Sequence, residues 1–242
     1  MMELSKKEFD ILYNKQRSMF IGNIMQDIGH AIMNPLTGII SYSEILKNTK
    51  NNTEKHNKIA TKINDAANKI NRIVKSIQYF SSTSCNIFES KSIEKILQDT
   101  LDLFEVRLSE ANIVPNCNIS ENVPKIECWS QQVQATFVVL IQNAIESLFL
   151  KHGSVDLEHD QQLNITLTSD LTHIIIEFYD NGIGMDKEYF KNLFNIDFTS
   201  KERKTDTLNL YTVNKIIGNH EGSIEIDSKK GEWAKFTIKF AL

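Results

Sequence analysis

The stretch FIGNIMQDIGHAIMNPLTGIISYSEIL, residues 20–46, decides how the rest of the chain is interpreted. Its apolar residues recur every three or four positions, the spacing that places side chains on one face of an α-helix: Ile21, Ile24, Ile28, Ile32, Leu36 and Ile39. His30 falls between two members of this stripe, about 200° around the helix from it, so its imidazole is expected to face water. Pro35 lies inside the helix, where it cannot donate a hydrogen bond to the carbonyl of Ala31. A solvated His or a simple bend explains either residue alone, but the two together form a more specific pattern.

A second helical segment carries a coiled-coil seam, with apolar residues at alternating spacings of four and three: Ile59, Ile63, Ala66, Ile70, Ile73, Ile77 and Phe80. An Asn-rich turn at residues 48–52 separates it from the first helix. Two helices with one apolar stripe each are best buried by pairing with a second copy in a four-helix bundle. A hairpin packed on the rest of its own chain is the alternative.

The composition indicates a globular protein with room for two domains, since the chain has 242 residues of which 41% are hydrophobic. Lys and Arg number 27 against 31 Asp and Glu, a net charge of −4, so neither nucleic acid nor an anionic membrane is expected as a partner. Three cysteines without CxxC spacing fit a reducing cytoplasm better than a disulfide framework or a zinc site. We expect no membrane segment, because no run approaches about 18 apolar residues.

The remainder of the chain alternates helical and strand-like patterns. The polar residues 81–84 predict a domain boundary near residues 85–90, so we divide the chain into a lead-in (1–16), a helical domain (17–84) and an α/β domain (85–242). Within the last we expect an α/β sandwich with helices on one face of a mixed sheet. The predicted strands are 113–119, 125–128, 163–168, 173–179, 223–228 and 234–240, and the predicted helices begin after Ser92, at Ser130, near Lys187 and near Leu208.

The segment HAIMNPLTGIISYSEIL, residues 30–46, resembles the phosphoacceptor box of two-component sensor histidine kinases. The resemblance implies a homodimer in which His30 takes a phosphoryl group from Mg-ATP and passes it to an aspartate in the receiver domain of a response regulator. Asn34 becomes a candidate for positioning water in the reverse, phosphatase direction. Such kinases usually carry Glu or Asp directly after the His, where this chain has Ala31. We take Asp27, one turn earlier, as the substitute carboxylate.

Two further segments, LIQNAIESL and DNGIGMD, resemble the nucleotide boxes of the same superfamily, whose ATP-binding fold is shared with gyrase-type and chaperone-type ATPases. The resemblance implies that Asn143 binds the Mg²⁺ that bridges the ATP phosphates and that Asp180 accepts a hydrogen bond from the adenine amino group. Gly182 and Gly184 permit a tight turn against the ligand. The segment LFNIDFTSK resembles the family's phenylalanine box, a lid whose Thr199 and Lys201 are candidate nucleotide contacts.

One family feature is missing, because residues 205–210 read TDTLNL where the family has Gly-x-Gly-Leu-Gly-Leu. Those glycines let backbone N–H groups at a helix start approach phosphate, and here Thr207 and Asn209 are left to cap the helix and donate to phosphate. Two hypotheses follow. The first is an active histidine kinase, and the second is a histidine phosphotransferase or pseudokinase that keeps His30 but binds ATP weakly or not at all. A gyrase-like or chaperone-like ATPase has no use for the helical hairpin. We interpret His220 as a helix terminus.

Overall fold

A computed structural model describes residues 5–49, 53–81, 87–153, 161–194 and 209–242. Its first half is a helical hairpin, the stem, made of α1 (Lys6–Asn48) and α2 (Thr53–Ser81). Helix α1 begins at Lys6, eleven residues before the predicted start of the helical domain (17–84). Ser5 caps it with Glu8 in a capping box, and the Ser5 amide donates to Glu8 Oε2 over 2.8 Å. The predicted lead-in is therefore helical from Lys6 onward.

The second half is the predicted α/β sandwich with a mixed sheet. The five-stranded sheet has the order β2-β4-β5-β7-β6, in which β2 and β4 are parallel and the other neighbours are antiparallel. The strands are β1 (Phe88–Lys91), β2 (Asn116–Ile119), β3 (Ile126–Trp129), β4 (Leu163–Ser169), β5 (His173–Asp180), β6 (Ser223–Lys229) and β7 (Trp233–Ala241). The helices are α3 (Ile93–Glu110), α4 (Ser130–His152), α5 (Lys187–Leu193) and α6 (Leu210–Asn219).

Strand β1 was not predicted, and it pairs antiparallel with β3 in a small separate sheet. It lies within the segment that we took as the domain boundary. Its four residues FESK alternate exposed and half-buried side chains, and a single short alternation is too weak a signal to distinguish a strand from a linker. The pairing attaches the chain to the α/β domain immediately after the stem.

The stem and the α/β domain share one hydrophobic core. Phe20 of α1 packs edge-on against Phe80 of α2, with ring centroids 5.7 Å apart, and against Phe104 of α3 at 6.1 Å. All three side chains are only 1% exposed. The coiled-coil seam of α2 is buried or half-buried within the single chain, because α1 and α3 both contact it. The helical hairpin is therefore packed on its own chain as well as carrying the predicted seam.

The first turns of α1 also make buried polar contacts with the α/β domain. The Tyr13 hydroxyl donates to the Gln131 carbonyl over 3.1 Å, and Arg17 Nη1 donates to Gln131 Oε1 over 3.2 Å. The Thr212 hydroxyl, in the first turn of α6, donates to Gln16 Oε1 over 2.5 Å. These partners explain why α1 extends beyond the predicted start, since its N-terminal turns have a surface to pack on.

Helix α4 corrects the expectation that no segment approaches the length and hydrophobicity of a membrane helix. Within the described residues, Ser130–His152 is long and apolar enough to cross a membrane, judged by length and composition alone. Most of the helix is buried, and Phe137 packs on Phe178 of β5 with ring centroids 5.5 Å apart. Its hydrophobicity is explained by its place in the core, where it is covered on most sides.

His220 terminates α6 as its C-cap, which confirms the predicted helix terminus. The Trp129 backbone N–H donates to His220 Nε2 over 3.0 Å, so Nδ1 carries the proton and donates to the Ile216 carbonyl at 2.7 Å. The ring lies among Phe88, Trp129 and Phe240. Burial in this cluster lowers the pKa of His220 below its ordinary value.

We therefore predict that His220 makes folding stability depend on pH. Its pKa is lower in the folded than in the unfolded chain, so its contribution is fully present above the unfolded pKa of about 6.5 and is lost as the pH falls. Chemical denaturation at about pH 7.5 and about pH 5.5 measures this loss. His220→Gln should reduce the acid-induced loss, whereas His30→Gln, on the exposed face of α1, should leave it unchanged. Equal losses in both variants would contradict the assignment.

Candidate functional site

His30 lies on the exposed face of α1, as the spacing predicts. Gln26, Asn34 and Thr37 are also exposed, so His30 lies on a polar face of the helix. The Thr37 hydroxyl donates to the Met33 carbonyl over 2.9 Å within the helix. The imidazole is therefore accessible to another domain or another protein, which is what a phosphoacceptor requires.

An exposed apolar strip lies beside His30 and was not predicted from the sequence. Met25, Met33, Leu36 and Ile40 recur at helical spacing and are 52%, 56%, 36% and 53% exposed. Leu36 had been assigned to the buried stripe, which instead centres on Ile24 and Ile28. Met25 and Met33 are eight residues apart, and Met33 and Ile40 are seven apart, which are spacings that indicate one helical face. The more regular isoleucine pattern was followed instead.

Asp27, the predicted substitute base, is engaged by the α/β domain. Its carboxylate forms an ion pair with Arg107 Nε of α3, and the two side chains are 23% and 28% exposed. A second ion pair joins Lys69 of α2 to Glu105 of α3. At this level of the stem, helix α3 is the part of the α/β domain that contacts it. The carboxylate is therefore neutralised by a cation in this arrangement of the two domains.

Asp180 lies at the end of β5, on the floor of the predicted nucleotide pocket, and is only 4% exposed. Its Oδ1 accepts hydrogen bonds from the Ser147 hydroxyl at 2.8 Å and from the Gly182 backbone N–H at 3.0 Å. Burial raises the pKa of Asp180 to about 6, against the opposing effect of these two hydrogen bonds. At neutral pH the group is a mostly ionised, largely desolvated acceptor, which suits recognition of an amino group.

The glycines of the loop after β5 are required by close packing. A Cβ at Gly182 would lie 2.1 Å from Ser147 Oγ and 2.6 Å from the Ser147 carbonyl carbon. Gly184 has φ of +56°, and a Cβ there would lie 2.2 Å from the Lys229 carbonyl oxygen. Glycine was predicted at these two positions because a ligand approaches the loop. The structure adds a second reason for glycine, which is the close approach of the loop to α4 and to the β6–β7 hairpin.

The same loop is fastened to the β6–β7 hairpin. The Gly231 N–H donates to the Ile183 carbonyl at 2.5 Å, and the Met185 N–H donates to the Ser228 hydroxyl at 2.8 Å. Lys151, at the end of α4, donates to the carbonyls of Asn181 and Glu232 at 2.6 and 2.9 Å. This loop is therefore held by hydrogen bonds from both backbone and side-chain groups of α4 and the β6–β7 hairpin.

Asn143 and Ser147 stand one turn apart on α4, so their side chains share a face. Asn143 is half-buried. Asn209 caps α6 by accepting from the Thr212 N–H over 3.1 Å, which confirms its predicted capping role. Thr199, Lys201 and Thr207 lie outside the described residues, as does most of the lid. Of the predicted site residues, the structure therefore places Asp180 and Gly182 against α4 and Gly184 against the β6–β7 hairpin.

The donor set fits an adenine nucleotide with a hard cation. Asp180 offers a buried acceptor for an amino group, and the half-buried Asn143 offers an amide oxygen, a ligand type that Mg²⁺ accepts. Sequence reasoning missed Ser147 and Arg107. Ser147 stands within the quoted segment LIQNAIESL, four residues after Asn143, so its position on the same helical face was a usable signal. Arg107 carries no sequence signal that distinguishes it from other surface cations.

Two family models match this chain. Residues 21–86 match "His Kinase A (phospho-acceptor) domain" and residues 130–242 match "Histidine kinase-, DNA gyrase B-, and HSP90-like ATPase". Sporulation kinase E of Bacillus subtilis is 27% identical over 96% of this chain, and signal transduction histidine-protein kinase AtoS of Escherichia coli is 24% identical over 92%. The chain spans only 30% and 35% of the lengths of these two relatives.

Solved structures share the fold. The catalytic domain of histidine kinase ThkA has a TM-score of 0.55 at 21% identity, covering 64% of this chain and 95% of that domain. Histidine kinase ThkA in complex with response regulator protein TrrA has a TM-score of 0.52 at 19% identity, covering 99% of this chain and 68% of that one. The second likeness extends over both the stem and the α/β domain.

We predict that Gly182→Ala destabilises the α/β domain by about 2 kcal/mol, because the added methyl meets backbone as well as the Ser147 hydroxyl. Thermal unfolding measures the change. Gly218→Ala is the matched control, since a Cβ there meets nothing within 4 Å in the last turn of α6, and it should be neutral or stabilising. Equal stability of the Gly182→Ala variant and the parent would contradict the close packing described above.

Proposed function

We propose, from the premise that this chain belongs to the histidine kinases and carries their phosphoacceptor and ATPase domains, that it phosphorylates its own His30 from Mg-ATP and passes the phosphoryl group to an aspartate of a response regulator. The observation that carries the proposal is the exposed imidazole of His30 on a stem that shares its core with a domain containing a buried acceptor, Asp180.

The chemistry requires a nucleophilic nitrogen of the neutral imidazole. It attacks the γ-phosphorus of ATP, the bond from that phosphorus to the β,γ-bridging oxygen breaks, and ADP leaves with the bonding electrons. Asp180 accepts from the adenine amino group and so orients the nucleotide. Asn143 would hold Mg²⁺, whose charge offsets that of the phosphates. Asp27 acts as the base that takes the imidazole proton, in place of the acidic residue that the family usually carries after the His.

The α/β domain must move for this transfer. It contacts the stem at Gln131, at the start of α4, and the pocket residue Ser147 lies about 24 Å further along that helix at ~1.5 Å per residue. Close to His30 the stem is contacted instead by α3, through the ion pair between Asp27 and Arg107. Delivery of the γ-phosphoryl group to His30 therefore requires the pocket to replace α3 at this level of the stem.

The working unit is a homodimer. The exposed strip of Met25, Met33, Leu36 and Ile40 leaves an apolar face of α1 uncovered beside His30, and a second copy would cover it in a four-helix bundle. The phosphoryl group then passes to a receiver domain, the kind of partner named for the similar ThkA structure. We place the protein in the cytoplasm, in keeping with the free thiols of Cys117 and Cys128.

The comparisons give no support to the alternative of a phosphotransferase or pseudokinase. The relatives named above are kinases, and residues 130–242 match an ATPase model despite the missing lid glycines. A gyrase-like or chaperone-like ATPase is disfavoured because residues 21–86 match a phosphoacceptor model. Calorimetric titration with Mg-ATP tests this alternative first, since micromolar binding would count against a pocket that binds ATP weakly or not at all.

Incubation with γ-labelled ATP tests the proposal. We expect an acid-labile label on the parent and on His173→Ala, whose half-buried imidazole lies at the start of β5, and no label on His30→Ala. The reason is that phosphohistidine is acid-labile and is the only phosphorylated side chain expected on the enzyme itself. Label retained by His30→Ala would contradict the assignment of the phosphoacceptor, and a parent that binds Mg-ATP without becoming labelled would contradict kinase activity.

Substitutions at the ion pair of Asp27 and Arg107 test the role of Asp27 by the sign of their effects. Arg107→Ala should raise the autophosphorylation rate about three- to tenfold, because it frees the carboxylate and removes an interdomain contact worth roughly 1 kcal/mol. Asp27→Asn breaks the same contact but removes the base, so the rate should fall about a hundredfold.

Lys69→Ala is the matched control for this pair. It breaks the second ion pair between stem and α3 without touching Asp27, so a modest rise in rate is expected. If Asp27→Asn also raised the rate, Asp27 would be only an interdomain contact and the proposed base would be wrong.

A further inference from the structure

The hydroxyl of Ser147 joins three parts of the nucleotide pocket. Ser147 lies on α4 one turn after Asn143, and its Oγ donates to Asp180 Oδ1 over 2.8 Å. The same oxygen accepts from the Ile183 backbone N–H at 3.1 Å, and the Ser147 carbonyl accepts from that N–H at 3.3 Å. One side chain thus ties the helix to the end of β5 and to the loop beyond it.

The direction of the bond between Ser147 and Asp180 is determined by its neighbours. The Ile183 N–H can only donate, so it occupies an acceptor position of the hydroxyl and leaves the hydroxyl proton for another partner. An ionised carboxylate can only accept. The Ser147 proton therefore points to Asp180 Oδ1 and favours the ionised form of the carboxyl group.

The two oxygens of Asp180 consequently have different surroundings. Oδ1 accepts from both Ser147 and the Gly182 N–H. Among the described residues, no hydrogen bond is made to Oδ2. Rotation of the carboxylate would break both bonds to Oδ1, so Oδ2 is held as the acceptor that remains for a ligand. Adenine presents an amino group at C6 where guanine presents a carbonyl oxygen, so an oriented acceptor favours adenine.

We propose that Ser147 is a positioning residue that holds Asp180 with Oδ2 available to the purine, and that it thereby determines selection of adenine over guanine nucleotides. This role rests on the proposed ATP-binding function and deepens it. It is independent of the phosphoryl transfer to His30, because it concerns only nucleotide recognition.

Calorimetric titration of the full chain with Mg-ATP and with Mg-GTP tests the role. Ser147→Ala should weaken ATP binding about tenfold, the effect of one lost hydrogen bond to a charged group, and leave GTP binding unchanged. The preference for ATP should therefore fall about tenfold. Ser147→Thr, which keeps the hydroxyl, should restore part of the preference, and Ser169→Ala, at the exposed end of β4, should have no effect.

The pH dependence of ATP binding is the second readout. The Ser147 hydrogen bond lowers the pKa of Asp180, so its removal should raise that pKa further above about 6. Because the ionised carboxylate accepts from adenine, ATP affinity should then begin to fall at a higher pH in Ser147→Ala than in the parent. If Ser147→Ala does not fold, Ser147→Cys, of nearly the same volume but with a weak S–H donor, provides the same comparison.

Equal weakening of ATP and GTP binding with an unchanged pH profile would overturn the role, because a loss of loop structure alone predicts that result. A parent that binds no Mg-ATP would overturn both this role and the proposed function. A parent that prefers ATP but never labels His30 would overturn the kinase activity, while the comparison of ATP with GTP would still decide the role of Ser147.

Discussion

The packing of Phe20 against Phe80 and Phe104 is the interaction on which the arrangement of the two halves depends. Each ring is buried almost completely, and together they join α1, α2 and α3. Burial of an aromatic side chain stabilises by roughly 1.5–3 kcal/mol, whereas a partly exposed ion pair contributes at most about 1 kcal/mol. The aromatic contacts therefore hold the α/β domain on the stem, and the ion pairs to α3 only adjust the strength of that attachment.

A second constraint shapes the pocket, where backbone approaches so closely that two positions exclude any side chain. Gly182 lies against Ser147, and Gly184 lies against Lys229 of the β6–β7 hairpin. This packing brings the Asp180 carboxylate, the Ser147 hydroxyl and the Gly182 N–H together without an intervening group. The chemistry of the pocket floor thus follows from a steric requirement, since the same missing Cβ atoms allow the loop to close onto α4.

Much of this organisation was predictable because the signals are local. The outward position of His30 follows from helical spacing, and the mixed sheet follows from alternating strand patterns, so both predictions are confirmed. The start of α1 and the partner of Asp27 were not predictable, because each depends on a surface formed by distant residues. Tyr13 and Gln16 are buried by Gln131 and Thr212, more than a hundred positions away along the chain, and the helical spacing of Phe9 and Tyr13 does not identify so distant a surface.

The attachment of α3 to the stem has a chemical consequence as well as a mechanical one. While Arg107 is paired with Asp27, the stem keeps the His30 imidazole exposed and the Asp27 carboxylate neutralised. Withdrawal of α3 would uncover the carboxylate at the same time as it makes room for the pocket. Under the proposed function, a base released only by the movement that would deliver ATP would not assist other reactions of His30 in the docked arrangement. The substitution of Ala31 for the family's usual acidic residue acquires a physical meaning in this way, because a carboxylate fixed directly beside the imidazole would be available in every position of the α/β domain.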